Sequence, residues 1–511
     1  MAFKNLLQTG ILLLTVIACQ TKEVPVERPN ILYIMTDDHS YQTISAYDNR
    51  LIQTPNIDRL ASDGIIFQNS FVGNSICAPS RATLLTGKHT HKNGQVDNSV
   101  TFDGSQVTFP KLLQGAGYQT ALIGKWHLRS DPTGFDYWSI LPGQGQYYNP
   151  DFIEMGKTKR YEGYCTTLTT DFGIDWIDKR DQQKPFCLLL HYKAVHRTWE
   201  PDTADLVEFK DKTYPVPDNF FDDYQGRRAA TEQKMSVREK DMDIRYDLKM
   251  EDENIPSRFP KMGHTGRMND EQKQAWEKFY TPITKDFLEK NPTGDSLSLW
   301  KYQRYMRDYL ACVRSLDDNI GRLLDYLKEK GLDKNTLIVY TSDQGFYMGE
   351  HGWFDKRFMY EQSLRTPLLM HLPEGYTRRG EVSEMVQNID YAPTFLDMAG
   401  VEIPKEIQGE SLKPLMQNEK PEKWRDAIYY HYYEFPNEHM VKRHYGIRTD
   451  RYKLIHFYNN IDEWEFYDLK TDPEEMHNLI DSEEYAGKIE EVKEKLVGLQ
   501  ELYDDTDQST Y

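Results

Sequence analysis

The chain has 511 residues and a formal charge of −19, from 62 Lys and Arg against 81 Asp and Glu. Its 39% hydrophobic content and 34 tyrosines suit a folded chain with a polar surface, long enough for one large domain and a smaller one. The acidic balance argues against a nucleic-acid partner, because phosphate neutralisation needs a basic face, and no apolar stretch beyond the N-terminus is long enough to span a bilayer.

At the start, Lys4 precedes the apolar run 11–18, which leads directly into Cys19, the layout of an export signal. Val16-Ile17-Ala18-Cys19 looks like a bacterial lipobox, in which cleavage leaves Cys19 as a lipidated first residue; a plain secretory signal with a chance cysteine is the alternative. The expectation is an exported lipoprotein, periplasmic or on the cell surface, that touches the membrane only through this anchor. Residues 1–18 are then excluded from the fold.

Ile31-Leu32-Tyr33-Ile34-Met35 reads as a buried parallel strand that delivers Asp37 and Asp38 at its carboxyl end. Next comes Cys77-Ala78-Pro79-Ser80-Arg81, a cysteine at a helix start, where the helix dipole and Arg81 favour an anion. After a helix over 109–117, the strand Thr120-Ala121-Leu122-Ile123 ends in Gly124-Lys125-Trp126-His127. Lys125 and His127, two apart, would point to one face if that segment stays extended. Phe186-Cys187-Leu188-Leu189-Leu190 ends near His191 and His196, and Thr336-Leu337-Ile338-Val339-Tyr340 ends in Ser342-Asp343-Gln344-Gly345. Strands alternating with helices, including one over 302–330, predict an α/β sheet covered on both faces, with ligands outside the carboxyl ends of the strands.

Residues 200–300 read as a long, irregular, charged insertion, either solvated surface or a wall of the substrate pocket. From 404 onward, tyrosine-rich strands over 428–433, 445–449, 452–457 and 465–469 and a helix over 483–502 predict a small α+β subdomain with an antiparallel sheet. Of the cysteines, Cys187 and Cys312 lie in apolar or helical runs and suit buried positions, whereas Cys165 carries no clear signal.

Two adjacent buried carboxylates repel, and a hard divalent cation relieves them; Asp37, Asp38, Asp343 and the Gln344 amide make an all-oxygen set suited to calcium or magnesium. Arg81, Lys125 and Lys356 with His127 and His196 provide permanent cations and tunable imidazoles for an oxyanion and for proton transfer.

The run from Cys77 to Arg81, continued by Thr86-Gly87, resembles the active-site signature of the type I, formylglycine-dependent sulfatases of the alkaline phosphatase-like superfamily. The resemblance implies a large, mixed, mostly parallel sheet with helices on both faces over 27–403, and the smaller antiparallel subdomain over 404–511. It implies that a maturation enzyme oxidises Cys77 to formylglycine. A single calcium ion would be held by Asp37, Asp38, Asp343, Gln344 and an oxygen of residue 77; Gln344 departs from the asparagine or histidine of many members. In the implied reaction a hydroxyl of the aldehyde hydrate attacks sulfur, and His196 or Lys356 protonates the leaving alcohol. His127 then removes the second hydroxyl proton to expel sulfate, while Arg81 and Lys125 hold the developing charge. A bare thiol, with one nucleophilic position, could not eliminate sulfate this way.

The segment 345–361 looks most like bacterial sulfatases of glycosaminoglycans, in particular those removing the 6-O-sulfate of N-acetylglucosamine or glucosamine. Arg357, Glu434, His439 and His444 are candidate substrate contacts. Competing readings are a 2-O- or N-sulfatase, a phosphatase or phosphonate hydrolase of the same superfamily, and a non-catalytic carbohydrate-binding lipoprotein.

Overall fold

Seven buried residues, Asn30–Thr36, form β1 at the centre of a ten-stranded sheet. The computed structural model describes residues 28–259, 263–376, 378–419 and 421–506, so the export signal and Cys19 lie outside the described residues. In chain order the remaining strands are β2 (Ile65–Phe67), β3 (Ser70–Phe71), β4 (Gln119–Lys125), β5 (Tyr137–Leu141), β6 (Asp151–Glu154), β7 (Lys157–Arg160) and β8 (Phe186–His191). They continue with β9 (Thr336–Ser342), β10 (Leu368–His371), β11 (Gly380–Val382), β12 (Val386–Gln387), β13 (Ala427–Tyr432), β14 (His444–Thr449), β15 (Tyr452–Phe457) and β16 (Glu463–Asp468).

The large sheet runs β11-β2-β10-β9-β1-β8-β4-β5-β6-β7. Its centre, β9-β1-β8-β4-β5, is parallel, while β10, β6 and β7 join antiparallel. The alternation along β1 explains the layers. Ile31, Tyr33 and Met35 pack with the helices Cys77–Thr86, Phe109–Gly115 and Tyr391–Met398, whereas Leu32 and Ile34 face the helices Pro55–Ser62, Cys165–Lys179 and Gly294–Glu329. Each fully buried aliphatic side chain in these layers contributes about 1.5–3 kcal/mol. The expected α/β architecture is present, with the parallel strand ends gathered on one edge.

Residues 200–300 depart from the expected irregular insertion. They contain the helix Asp270–Lys290, opened by a reciprocal capping box between Asn269 and Gln272, and the long helix begins at Gly294 rather than at 302. Phe209, Tyr214, Phe220, Met235 and Trp276 are buried in one cluster with Tyr305 and Phe346. Pro282 and the charged residues of the helix mask its period, and the loop residues bury side chains without any period at all.

Strands β13–β16 form an antiparallel meander. Tyr429, Ile447, Leu454 and Phe466 face the closing helix Ala486–Tyr503, while Ile428, Tyr430, Tyr432, Ile455 and Phe457 face Tyr347, Trp353 and Phe358. This second face backs the loop that follows β9. Cys77, Cys165, Cys187 and Cys312 are all buried and free of disulfides.

Candidate functional site

The helix Cys77–Thr86 is buried along its whole length, with Cys77 as its first residue and Pro79 in the first turn, where a missing N–H costs nothing. Gly87 ends the helix at φ +62°, and a Cβ there would stand 2.8 Å from Ile407 Cγ2, so the glycine of the Thr-Gly pair has a steric reason. On β4, Gly124 has φ +104°, and a Cβ would meet His191 O at 1.9 Å. Only glycine allows this close strand pairing immediately before Lys125.

The strand ends converge as expected. Asp38 N–H donates to Asp343 Oδ1 at 3.2 Å, and Asp343 N–H donates to Thr36 O at 3.1 Å, locking the ends of β1 and β9 together. Arg81 donates to Asp343 Oδ2 through Nε at 3.1 Å and Nη2 at 2.8 Å, and to Lys125 O at 2.8 Å through Nη1. Lys125 Nζ pairs with Asp37 Oδ2, and Lys356 Nζ lies 2.8 Å from the Asp38 carboxylate. Cys77 Sγ donates to Asp37 Oδ1 at 3.5 Å. His196 Nε2 lies 3.8 Å from Asp38 Oδ2, and its Nδ1–H donates to Arg197 O at 2.6 Å, which fixes the tautomer that turns Nε2 into the site.

Oxygens of Asp37, Asp38 and Asp343 lie within 4.8 Å of one another, and Asp37, Cys77 and His196 make an overlapping set. Burial is the largest influence on all three carboxyls and pushes each upward; Lys125 leads the cations that hold Asp37 well below the usual range, while Asp38 and Asp343 stay raised, Asp343 to about 7. Three carboxylates facing one another in a dry site resist joint ionisation, and a hard cation removes that penalty. The residues fit one: Gln344 points its nitrogen at Asp38 Oδ1, 2.5 Å away, leaving Oε1 buried without a partner among the described residues. The expected inward carbonyl is thus turned away, because an amide facing bare carboxylates presents its donor end; a half-turn of the amide exchanges the two. Burial, above all, pushes the Cys77 thiol up to about 12, so as a thiol it is unreactive.

His127 reaches the site by a different route from the one its spacing implied. The strand ends at Lys125, and His127 takes φ +59°, so the two side chains do not share the face of one extended segment. It still lies within electrostatic reach of Lys125, Asp37, Arg81 and Lys356; burial, then Lys125, pushes its ring down to about 2 and keeps it neutral.

The candidate substrate contacts divide. Arg357 pairs with Glu434 at 2.9 Å and with Asp355 at 3.2 Å, and His439 Nε2 lies 3.3 Å from Asp355, forming a buried cluster beside Lys356. His444 does not belong to it. Its Nε2 accepts from Met359 N–H, its Nδ1 donates to Lys442 O, and its ring packs on Tyr430, Phe358 and Phe457. Both ring nitrogens serve the backbone, so His444 is a core histidine.

A cavity of about 680 Å³ opens beside His196, lined among others by Gln144, Tyr148, Lys193, Arg197, Tyr246 and His264. Its far wall comes from the 200–300 stretch, which therefore includes a pocket wall. Sequence reasoning missed Gln144 and Lys193; Lys193 sits between His191 and His196, so the same strand end could have flagged it.

The sulfatase family model matches residues 29–401. The chain belongs to the sulfatase family. A second model, for the C-terminal region of N-sulphoglucosamine sulphohydrolase, matches residues 349–502. This sulfatase is 52% identical over 490 residues to the N-acetylglucosamine-6-O-sulfatase of Bacteroides thetaiotaomicron, covering 94% of the present chain and 88% of the relative. It is 27% identical over 529 residues to an arylsulfatase of Clostridium perfringens, covering 94% and 96%. The solved structure of BT4656 in complex with its substrate D-glucosamine-2-N,6-O-disulfate superposes with a TM-score of 0.91 at 52% identity, covering 94% of this chain and 99% of that one. A phosphonate monoester hydrolase of Agrobacterium radiobacter shares the fold at a TM-score of 0.64 and 21% identity, with 93% and 96% covered. The protein is an enzyme, a sulfuric ester hydrolase.

Proposed function

We propose that this sulfatase hydrolyses the 6-O-sulfate of N-acetylglucosamine or glucosamine in a glycosaminoglycan-derived saccharide. Support for the sugar and the position comes from the relative named for that activity and from the related structure solved with a 2-N,6-O-disulfated glucosamine. The chemistry rests on one observation: Cys77 Sγ opens a buried helix 3.5 Å from Asp37 Oδ1, in a cluster ringed by Arg81, Lys125, His196 and Lys356.

In this reading Cys77 is oxidised to formylglycine by a maturation enzyme, and Asp37, Asp38, Asp343 and Gln344 hold one calcium ion. When present, the aldehyde hydrate supplies the nucleophile and the cation offsets the charge of the sulfate. Arg81, anchored on Asp343 and on Lys125 O, holds the helix start that carries residue 77. Lys125 and Lys356 bring positive charge to bear on the sulfate oxygens as charge builds. Lys356 Nζ and His196 Nε2 flank the same Asp38 carboxylate; Lys356, or His196 once its Nε2 has gained a proton, passes one to the departing alcohol oxygen. Neutral His127 takes up the proton that leaves residue 77 when sulfate departs. Arg357, Glu434 and His439, with Asp355, orient the sugar next to Lys356.

The test is sulfate release from 6-O-sulfated, 2-O-sulfated and N-sulfated saccharides, with mass spectrometry of the peptide containing residue 77. Release confined to the 6-O-sulfate, with an aldehyde at residue 77, is expected. Turnover of only a uronic-acid 2-O-sulfate or only an N-sulfate overturns the position, and an active enzyme with an intact thiol overturns the nucleophile.

A further inference from the structure

Among the described residues that line the cavity beside His196, one charge has no ion partner in direct contact. Lys193 is 5% exposed, yet among the described residues no carboxylate lies within 4.0 Å of its ammonium. The other permanent cations among the described wall residues are paired: Arg197 with Asp247 at 2.6 Å and Glu438 at 2.9 Å, and Arg267 with Asp151 at 3.0 Å. The wall carboxylates are paired too, Glu438 with Arg197 and Glu200 with His264 at 2.7 Å. Lys193 Nζ donates to Gln144 O at 3.1 Å and lies 4.7 Å from the centre of the Tyr147 ring. An ammonium has three N–H donors; the carbonyl takes one, the ring face satisfies a second direction, and the third remains for whatever enters the cavity.

Its location relates it to the reaction. Gln144 uses its backbone carbonyl for Lys193 and its side-chain carbonyl for Lys125, the lysine paired with Asp37, so a single residue bridges the sulfate site and the cavity. Tyr147, beneath Lys193, donates its hydroxyl to His196 O at 2.7 Å. A buried ammonium with no carboxylate in contact is costly: burial, then the nearby Lys125, lowers its pKa, and the more distant Asp37 and Glu200 offset this only in part. An anion delivered by the substrate offsets that cost, and a chain of net charge −19 needs such a local cation to hold a saccharide with more than one negative group.

We infer that Lys193 binds a second anionic group of the saccharide, a sulfamate or a carboxylate, while the ester to be cut lies against residue 77. The inference rests on the 6-O-sulfatase reading above and adds to it a determinant of which saccharides are taken.

The experiment compares kcat/KM of the full-length mature enzyme on three substrates. These are N-acetylglucosamine 6-O-sulfate, D-glucosamine-2-N,6-O-disulfate, and N-acetylglucosamine 6-O-sulfate linked to a uronic acid. The wild type is expected to prefer one or both of the doubly charged substrates by about tenfold or more, the size of one charge-assisted hydrogen bond. Lys193→Gln is expected to remove most of that preference through KM, and Lys193→Arg to keep most of it. The arm that responds identifies the sulfamate or the carboxylate. Equal kcat/KM on all three in the wild type, or a preference that survives Lys193→Gln, overturns the inference. Should Lys193→Gln fail to fold, Lys193→Met takes its place as the uncharged variant, with the same two overturning results. No turnover of any of the three sinks the 6-O reading itself, and so is distinct from turnover without preference.

Discussion

Lys356 Nζ and the Asp38 carboxylate, 2.8 Å apart, join the loop after β9 to the end of β1 across 318 positions of sequence. Burial alone would lower the lysine's pKa, but Asp355 and Asp38 outweigh it and hold it well above the usual range, so the resting side chain is an ammonium that carries both charge and proton. Lys356→Ala removes that charge and leaves Asp38 facing two other carboxylates. Sulfate release should fall in kcat by about 10²–10³, the usual cost of losing an acid or electrostatic group. A variant that retains the wild-type kcat would deny Lys356 a part in turnover.

Cys77→Ala deletes the proposed nucleophile at a site that already accepts a small buried side chain. Sulfate release should drop by about 10³ or more, by analogy with the loss of other covalent nucleophiles. Thermal unfolding should move little, since neighbouring Ala78 and Ala82 already pack in this helix. A residual rate near that of the wild type would rule out residue 77.

Chelation tests the carboxylate cluster. Dialysis against a chelator should abolish sulfate release and lower Tm, and calcium should restore both. A ligand at a hundred times its Kd adds about 2.7 kcal/mol to the folded state. Asp38→Asn should blunt the calcium-induced rise in Tm. An unchanged Tm and full activity after exhaustive chelation would refute a metal at this site.

Asp222 offers a pH test away from the cluster. Burial would raise this carboxyl, but the His351 ring at 2.7 Å and the Arg227 guanidinium at 2.6 Å more than reverse that, taking it down to about 2. Because the folded-state pKa is depressed, the contribution to stability is complete above the unfolded value of about 3.9 and is lost as pH falls from there towards 2. Asp222→Asn, which strands the Arg227 charge, should cost about 3 kcal/mol at neutral pH. The gap between wild type and variant in denaturant unfolding should narrow below about pH 4; a gap independent of pH would mean that the carboxylate charge contributes nothing.

The site was more legible in the sequence than its surroundings. Asp37-Asp38, Lys125, His196 and Asp343 each follow an apolar run, and a parallel sheet brings such exits to one edge whatever the connections do. The four C-terminal strands are rich in tyrosine because both faces are covered, one by a helix and the other by the loop after β9, and so they too could be read. His127 could not be placed by spacing, since a single residue at φ +59° reverses the geometry that spacing assumes. His444 read as a candidate substrate contact because nothing in the sequence reveals that both its nitrogens are taken by backbone groups. The 200–300 stretch stayed opaque for a related reason: Phe209, Tyr214 and Phe220 are buried by loops, and loops have no period.

The depth of Cys77 sets a timetable. At 1% exposure, beneath Gln344 and the loop that carries Lys356, its sulfur cannot enter the active site of another protein once the chain has folded. Yet Gln344 is made 267 residues after Cys77, and ribosomes add about 5–20 residues per second. For roughly 10–50 s of synthesis the cysteine exists without the segment that will close over it. An enzyme that alters this side chain has to reach it before the chain folds, so the rate of folding would compete with the rate of any such modification.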